Sequence, residues 1–109
     1  MKQIQSITEF EKLLSEDAVL AYFSTETCSV CHVLKPKVDE MVSEAFPKLK
    51  AVFVESDRFP ELAAQNRVFI APTVVVFFAG REAIRKSRAF GVDQLHSEIQ
   101  RLYSLMFDE

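Results

Sequence analysis

Residues 24–36 read STETCSVCHVLKP, and Cys28 and Cys31 are the only cysteines in the 109-residue chain. Two thiols at this spacing can share a metal, staple a fold or exchange disulfides. Structural zinc needs about four ligands. The chain offers Cys28, Cys31, His32 and the distant His96. His32, next to Cys31 on a helix, is badly placed to close a tetrahedron with both cysteines, and there is no second C-x-x-C. A staple depends on the compartment, because stable structural disulfides are rare in the cytosol. Thiol–disulfide exchange needs only a nucleophilic thiol and a second thiol within reach to resolve the mixed disulfide.

Composition narrows the setting. About half of the residues are hydrophobic, 49%, and there are only two glycines and four prolines. That describes a globular chain with little room for linkers, here read as a single domain over 1–109. The net charge of −3 argues against nucleic acid, where affinity comes largely from neutralising phosphates. The N-terminus MKQIQSITEF lacks the apolar core of a secretory signal. No apolar run is long enough to span a bilayer. The expected setting is cytoplasmic, with no membrane partner, and a C-x-x-C pair there favours catalysis or metal binding over a staple.

The elements that position the cysteines follow from periodicity. Ser6-Ile7-Thr8-Glu9 fits a capping box opening a short helix that ends near Ser15. AVLAYFS, 18–24, is apolar on both faces, as a central buried strand is. From Cys28 the period becomes helical: Val30, Val33, Leu34, Val38, Met41, Val42 and Ala45 form the apolar side. His32, Lys35, Lys37, Asp39, Glu40 and Glu44 fill the other side, and Pro36 kinks the helix. KAVFVES, 50–56, is a second strand. Pro60 opens a third helix with Leu62, Ala63 and Val68 inward. PTVVVFF, 72–78, is a strand covered on both faces, and a turn at 79–81 leads into an antiparallel strand over 82–90. Asp93 is the expected N-cap of a last helix carrying Val92, Leu95, Ile99, Leu102 and Met106 inward.

The first strand–helix–strand unit implies a right-handed parallel crossover, and the short link between the last two strands implies a hairpin. The fold class is α/β: a mixed sheet of about four strands between layers of about four helices. Cys28 then stands after a central strand and at a helix start, where open α/β sheets place their sites. The unpaired N–H groups and the positive end of the macrodipole stabilise a thiolate there. Cys28 is thus the nucleophile, and Cys31, almost one turn further in, is the resolving thiol.

In this order and spacing the chain resembles the thioredoxin family along nearly its whole length. The C-x-x-C follows a buried strand, and Pro36, five residues beyond Cys31, matches the family's helix-kinking proline. Ile70-Ala71-Pro72-Thr73 matches the segment that carries its cis-proline, and Gly80 and Gly91 match its hairpin and pre-helix glycines. The resemblance implies a thioredoxin-like three-layer sandwich and protein disulfide oxidoreductase activity without a bound cofactor or metal. It implies a cis Ala71–Pro72 bond facing the cysteines, with Thr27, Ile70, Ala71 and Pro72 forming a groove for an extended substrate. It also implies electrons from a thioredoxin reductase or another thiol donor.

The chain departs from that family around the cysteines. Thr27 stands for the usual tryptophan and Ser29-Val30 for glycine–proline. Ser24 replaces an upstream aromatic, Tyr22 a buried aspartate and Phe53 its partner lysine. These changes remove a docking surface and the acid expected to help deprotonate Cys31, and they point to a narrower set of partners. Two residues are candidate modulators of the thiols: His32, four residues after Cys28, whose plainer reading is a solvated residue on the helix face, and Tyr22, through the Cys31 sulfur, whose favoured reading is a core aromatic with its hydroxyl hydrogen-bonded. Phe69 is placed on a loop near the cysteines, where it replaces part of the lost aromatic surface. Arg81, Arg85, Lys86 and Arg88 gather on the last strand, a pattern that protects a sheet edge or receives an anionic partner. His96 is read as exposed. A thioredoxin-fold module whose cysteines respond to redox state without turnover stands as the alternative, with a metal-binding protein behind it.

Overall fold

The computed structural model describes residues 1–107. The elements are β1 (Lys2–Gln3), α1 (Ile7–Leu13), β2 (Ala18–Ser24), α2 (Ser29–Ala45), β3 (Lys50–Glu55), α3 (Pro60–Gln65), β4 (Thr73–Phe78), β5 (Arg81–Ser87) and α4 (Val92–Phe107). The sheet order is β1-β3-β2-β4-β5. β3 runs parallel to β1 and β2, whereas β4 runs antiparallel to β2 and β5. The fifth strand was not expected. β1 has only two residues, too few to show a period, and it pairs Lys2 and Gln3 with Val52 and Phe53.

All seven residues of β2 are buried. A strand between two others has alternate side chains on opposite faces, so each face of β2 seeds one core. Leu20 and Tyr22 pack with Val38, Val42, Val76, Leu95 and Ile99 beneath α2 and α4. Val19, Ala21 and Phe23 pack with Ile4, Phe10, Val54 and Leu62 on the opposite face. Ser6 caps α1 through its hydroxyl, which accepts from the Glu9 N–H at 3.1 Å. Glu9 reaches back to the Gln5 N–H at 2.7 Å, and this bond, with help from Lys2, holds its carboxyl below the usual range.

Several helix assignments are corrected. Val30 and Val33 are exposed. They lie about 80° and 140° round the helix from buried Val38, at about 100° per residue, so they share its spacing but not its face. Val68 is buried but lies beyond the end of α3. Asp93 lies inside the first turn of α4 and is not its cap. Met106 is on the exposed side of the last turn. Tyr103 and Phe107 pack there instead, with Tyr103 against Phe46 at 5.0 Å between centroids. His96 is half-buried and lies against the same Phe46 ring at 5.1 Å.

β5 is an edge strand, and its basic residues are partly engaged within the fold. Arg85 forms an ion pair with Glu82 at 2.7 Å and donates to the Asn66 and Arg67 carbonyls. The pair pushes the Glu82 carboxyl down and the Arg85 guanidinium up. Lys86 pairs with Glu98 at 2.6 Å. Arg81 and Arg88 stay exposed. No helix among the described residues is long and apolar enough to cross a membrane.

The β4–β5 hairpin turns on two residues, Ala79 and Gly80, both with positive φ. That is the primed geometry suited to a right-twisted hairpin. A Cβ at Gly80 would stand 3.1 Å from the Leu14 carbonyl oxygen, at φ +78°. Gly80→Ala is expected to lower unfolding free energy by about 1–2 kcal/mol, from the turn strain and the close contact, as read from the urea midpoint at unchanged slope.

Candidate active site

The chain leaves β2 at Ser24, crosses three residues and enters α2 at Cys28. Cys28 has extended backbone angles and occupies the N-cap, where its sulfur accepts from the Cys31 N–H at 3.2 Å. A sulfur thus takes the place of the usual capping oxygen. The loop closes through Cys28 N–H to the Thr25 carbonyl at 3.2 Å. Cys28 and Cys31 are joined as a disulfide with their Cα atoms 5.3 Å apart. Cys28 is half-buried, whereas Cys31 is 1% exposed. One sulfur therefore faces incoming molecules and the other faces the core.

Tyr22 sits directly beneath, fully buried. Its hydroxyl donates to the Cys31 carbonyl at 2.9 Å. Tyr22 is thus the hydrogen-bonded core aromatic that the sequence favours, and the alternative reach to the Cys31 sulfur is not made: the hydroxyl is committed to the backbone one turn inside α2. Burial pushes that hydroxyl up to about 12, so Tyr22 stays a neutral donor wherever thiols ionise. His32 is exposed, and its Nε2 donates to the Glu26 carbonyl at 2.8 Å. That bond ties the ring to the loop before the cysteines.

The Ala71–Pro72 peptide is cis, and Ala71 packs against the core cluster that includes Cys31, as does Cys28. The segment is held from below: Thr73 Oγ1 donates to the Ile70 carbonyl at 2.7 Å, and the Arg88 N–H donates to the Pro72 carbonyl at 2.9 Å. Apolar side chains are exposed on the segments that carry the pair and precede Pro72. Val30, between the cysteines, is 55% exposed, and Phe69 is 80% exposed beside Ile70. A groove of about 310 Å³ runs from Thr25 past Pro60 and Val68 to Phe69 and Ile70. Thr27 is exposed at the loop tip.

Two residues at the site were not singled out in the sequence. Lys35, assigned there to the polar side of α2, lies over the Phe53 ring with Nζ 3.2 Å from the centroid. Glu55 accepts from Gln3 Nε2 at 2.8 Å. Both line a small cavity that reaches Cys31. The i to i+4 relation of Cys31 and Lys35 was the available signal for the lysine. Nothing local marks Glu55, which is brought in by pairing with Ser24 across β2–β3. Among the described residues, no group of three or more His, Cys, Asp or Glu side chains is placed to hold a metal ion.

Residues 2–101 match the family model described as thioredoxin. The chain belongs to the thioredoxin family. It is 28% identical over 106 residues to the thioredoxin-like protein YdfQ of Bacillus subtilis, covering 96% of this chain and 94% of that protein. It is 32% identical over 92 residues to a thioredoxin of Rickettsia bellii, covering 84% and 85%. Among solved structures, the thioredoxin of Fasciola hepatica superposes with a TM-score of 0.83 at 28% identity, over 93% of this chain and 98% of that one. Family membership and a C-x-x-C pair at bonding distance make this chain a thiol–disulfide oxidoreductase acting on protein disulfides.

The core beneath the cysteines rests on a buried phenol. Tyr22→Phe is expected to lower stability by about 1 kcal/mol through the lost buried hydrogen bond. It should leave the rate of disulfide exchange unchanged, because the hydroxyl does not bond sulfur. Denaturant melts and stopped-flow exchange on the same samples test both halves.

Proposed function

We propose that this domain works as a reductant of protein disulfides in the cytoplasm, with Cys28 as nucleophile and Cys31 as resolving thiol. The observation that carries this reading is the asymmetry of the two sulfurs. Cys28 Sγ accepts a helix N–H at 3.2 Å, and Cys31 is buried directly behind it. The Cys28 thiolate attacks one sulfur of a substrate disulfide and expels the other as a thiolate. Cys31, deprotonated, then attacks Cys28 Sγ, closes the Cys28–Cys31 bond and releases the second substrate sulfur. Two electrons pass to the substrate, and a thioredoxin reductase or another thiol donor returns them.

Thr27, Ile70, Ala71 and Pro72 frame the groove in which an extended substrate segment lies, with the Ala71 backbone available for strand-like pairing. The exposed apolar set of Val30, Ile70 and Phe69 takes over part of the contact area that a tryptophan would provide. No bound cofactor or metal takes part. The whole of 1–109 acts as one domain.

Multiple-turnover reduction of insulin with a chemical or enzymatic thiol donor tests the reading. Wild-type protein should reduce many equivalents, and Cys28→Ser should abolish turnover, whereas Cys31→Ser should stall as a mixed disulfide on Cys28. Exchange that stops after one equivalent in the wild type would instead identify a redox-responsive binding module. A Cys28–Cys31 potential near about −270 mV agrees with a reductant, and one near about −120 mV reverses the direction.

A further inference from the structure

Cys31 poses a problem of charge. To resolve a mixed disulfide its thiol must ionise, yet it is 1% exposed, and burial among apolar groups opposes a thiolate. Tyr22 cannot take the proton, since its hydroxyl is itself a donor to the Cys31 carbonyl. The remaining titratable groups around Cys31 line a cavity of about 70 Å³: Glu26 from the loop, His32 and Lys35 from α2, and Glu55 from β3. Its volume suits about two waters, for which these side chains offer polar partners, enough to carry a proton from the thiol to solvent.

We propose that the Lys35 ammonium supplies the positive charge that lets the buried Cys31 thiol ionise for the resolving step. Lys35 is four residues after Cys31, so the two side chains are neighbours on one side of α2. The Phe53 ring, 3.2 Å from Nζ, holds the ammonium on the cavity side of the helix. Lys35 forms no ion pair among the described residues, so no carboxylate in contact neutralises it. The other charges face differently. His32 donates through Nε2 to the Glu26 carbonyl. The Glu26 side chain is on an exposed residue. Glu55, held by Gln3 at 2.8 Å, carries a negative charge that opposes the thiolate. Lys35 and Glu55 thus act on Cys31 with opposite signs. In the reaction the thiol proton leaves to water, the Cys31 thiolate attacks Cys28 Sγ, and the Cys28–substrate bond breaks. The substrate sulfur departs as a thiolate that takes a proton from solvent.

This inference rests on Cys31 being the resolving thiol, and its test does not depend on turnover. In a Cys28→Ser background, Cys31 is titrated by thiolate absorbance and by the pH dependence of alkylation. Lys35→Met keeps the packing on Phe53 and removes the charge, and the Cys31 midpoint should rise by about one pH unit. Lys35→Gln should behave alike, Lys35→Arg should restore the parent midpoint, and Glu55→Gln should move it down. With Cys28 intact, resolution near neutral pH should slow by about threefold in Lys35→Met, the lost thiolate being partly offset by the greater nucleophilicity of a more basic thiol. A midpoint in Lys35→Met and Lys35→Gln equal to the parent overturns the inference, even if turnover is rapid. Absent turnover with a shifted midpoint overturns the functional reading and leaves the role of Lys35 intact.

Discussion

Seven consecutive residues of β2 are removed from water, and a strand in that position must satisfy its backbone on both edges and cover both faces. β3 and β4 meet the first demand, one parallel and the other antiparallel. The helices and the two apolar clusters meet the second. The energetic reason is ordinary: each large buried apolar side chain contributes about 1.5–3 kcal/mol against the cost of ordering the chain. The functional result is positional. Because β2 cannot shift without exposing one of its faces, the point where it ends is fixed, and Cys28 lies four residues beyond it. α2 is bound to the same strand by the Tyr22 hydroxyl.

On that scaffold two chemically identical thiols sit in unlike surroundings. Cys28 lies at the mouth of the helix, where backbone N–H groups favour negative charge. Cys31 lies one turn deeper, against the core, where solvation no longer helps an anion. Short-range geometry alone sets this difference, since both residues come from the same four-residue stretch. The outer surface is correspondingly simple. It carries exposed valine, isoleucine and phenylalanine side chains rather than a wide indole.

Much of this could be read directly from the residues. AVLAYFS and PTVVVFF are too apolar to be anything but covered strands, and the cysteine pair at a change of period locates the site. Pattern failed where position in space, not spacing along the chain, decides burial. Val30 and Val33 repeat the helical interval but point away from the sheet. Val68 is inward without being helical, and Asp93 lies inside α4 because the helix begins at Val92, two residues before an Asp93 cap would start it. β1 is too short to have a pattern. Lys35 reads as one more charge on a polar face until Phe53 arrives from β3 beneath it. Glu55 joins the site only through strand register, which no local signal encodes.

Tyr22 has a consequence for how the domain responds to pH. A buried carboxylate at that position would titrate near the range in which thiols do, and folding free energy would change as the site worked. A phenol raised to about 12, from about 10 in the unfolded chain, behaves otherwise. Its folded value is the higher one, so its contribution is constant below about pH 10 and is lost only as the pH climbs toward 12. The joint between sheet and catalytic helix is therefore insulated from proton activity throughout the physiological range. The redox couple above it can be driven in either direction without loosening the mechanical seat on which it rests.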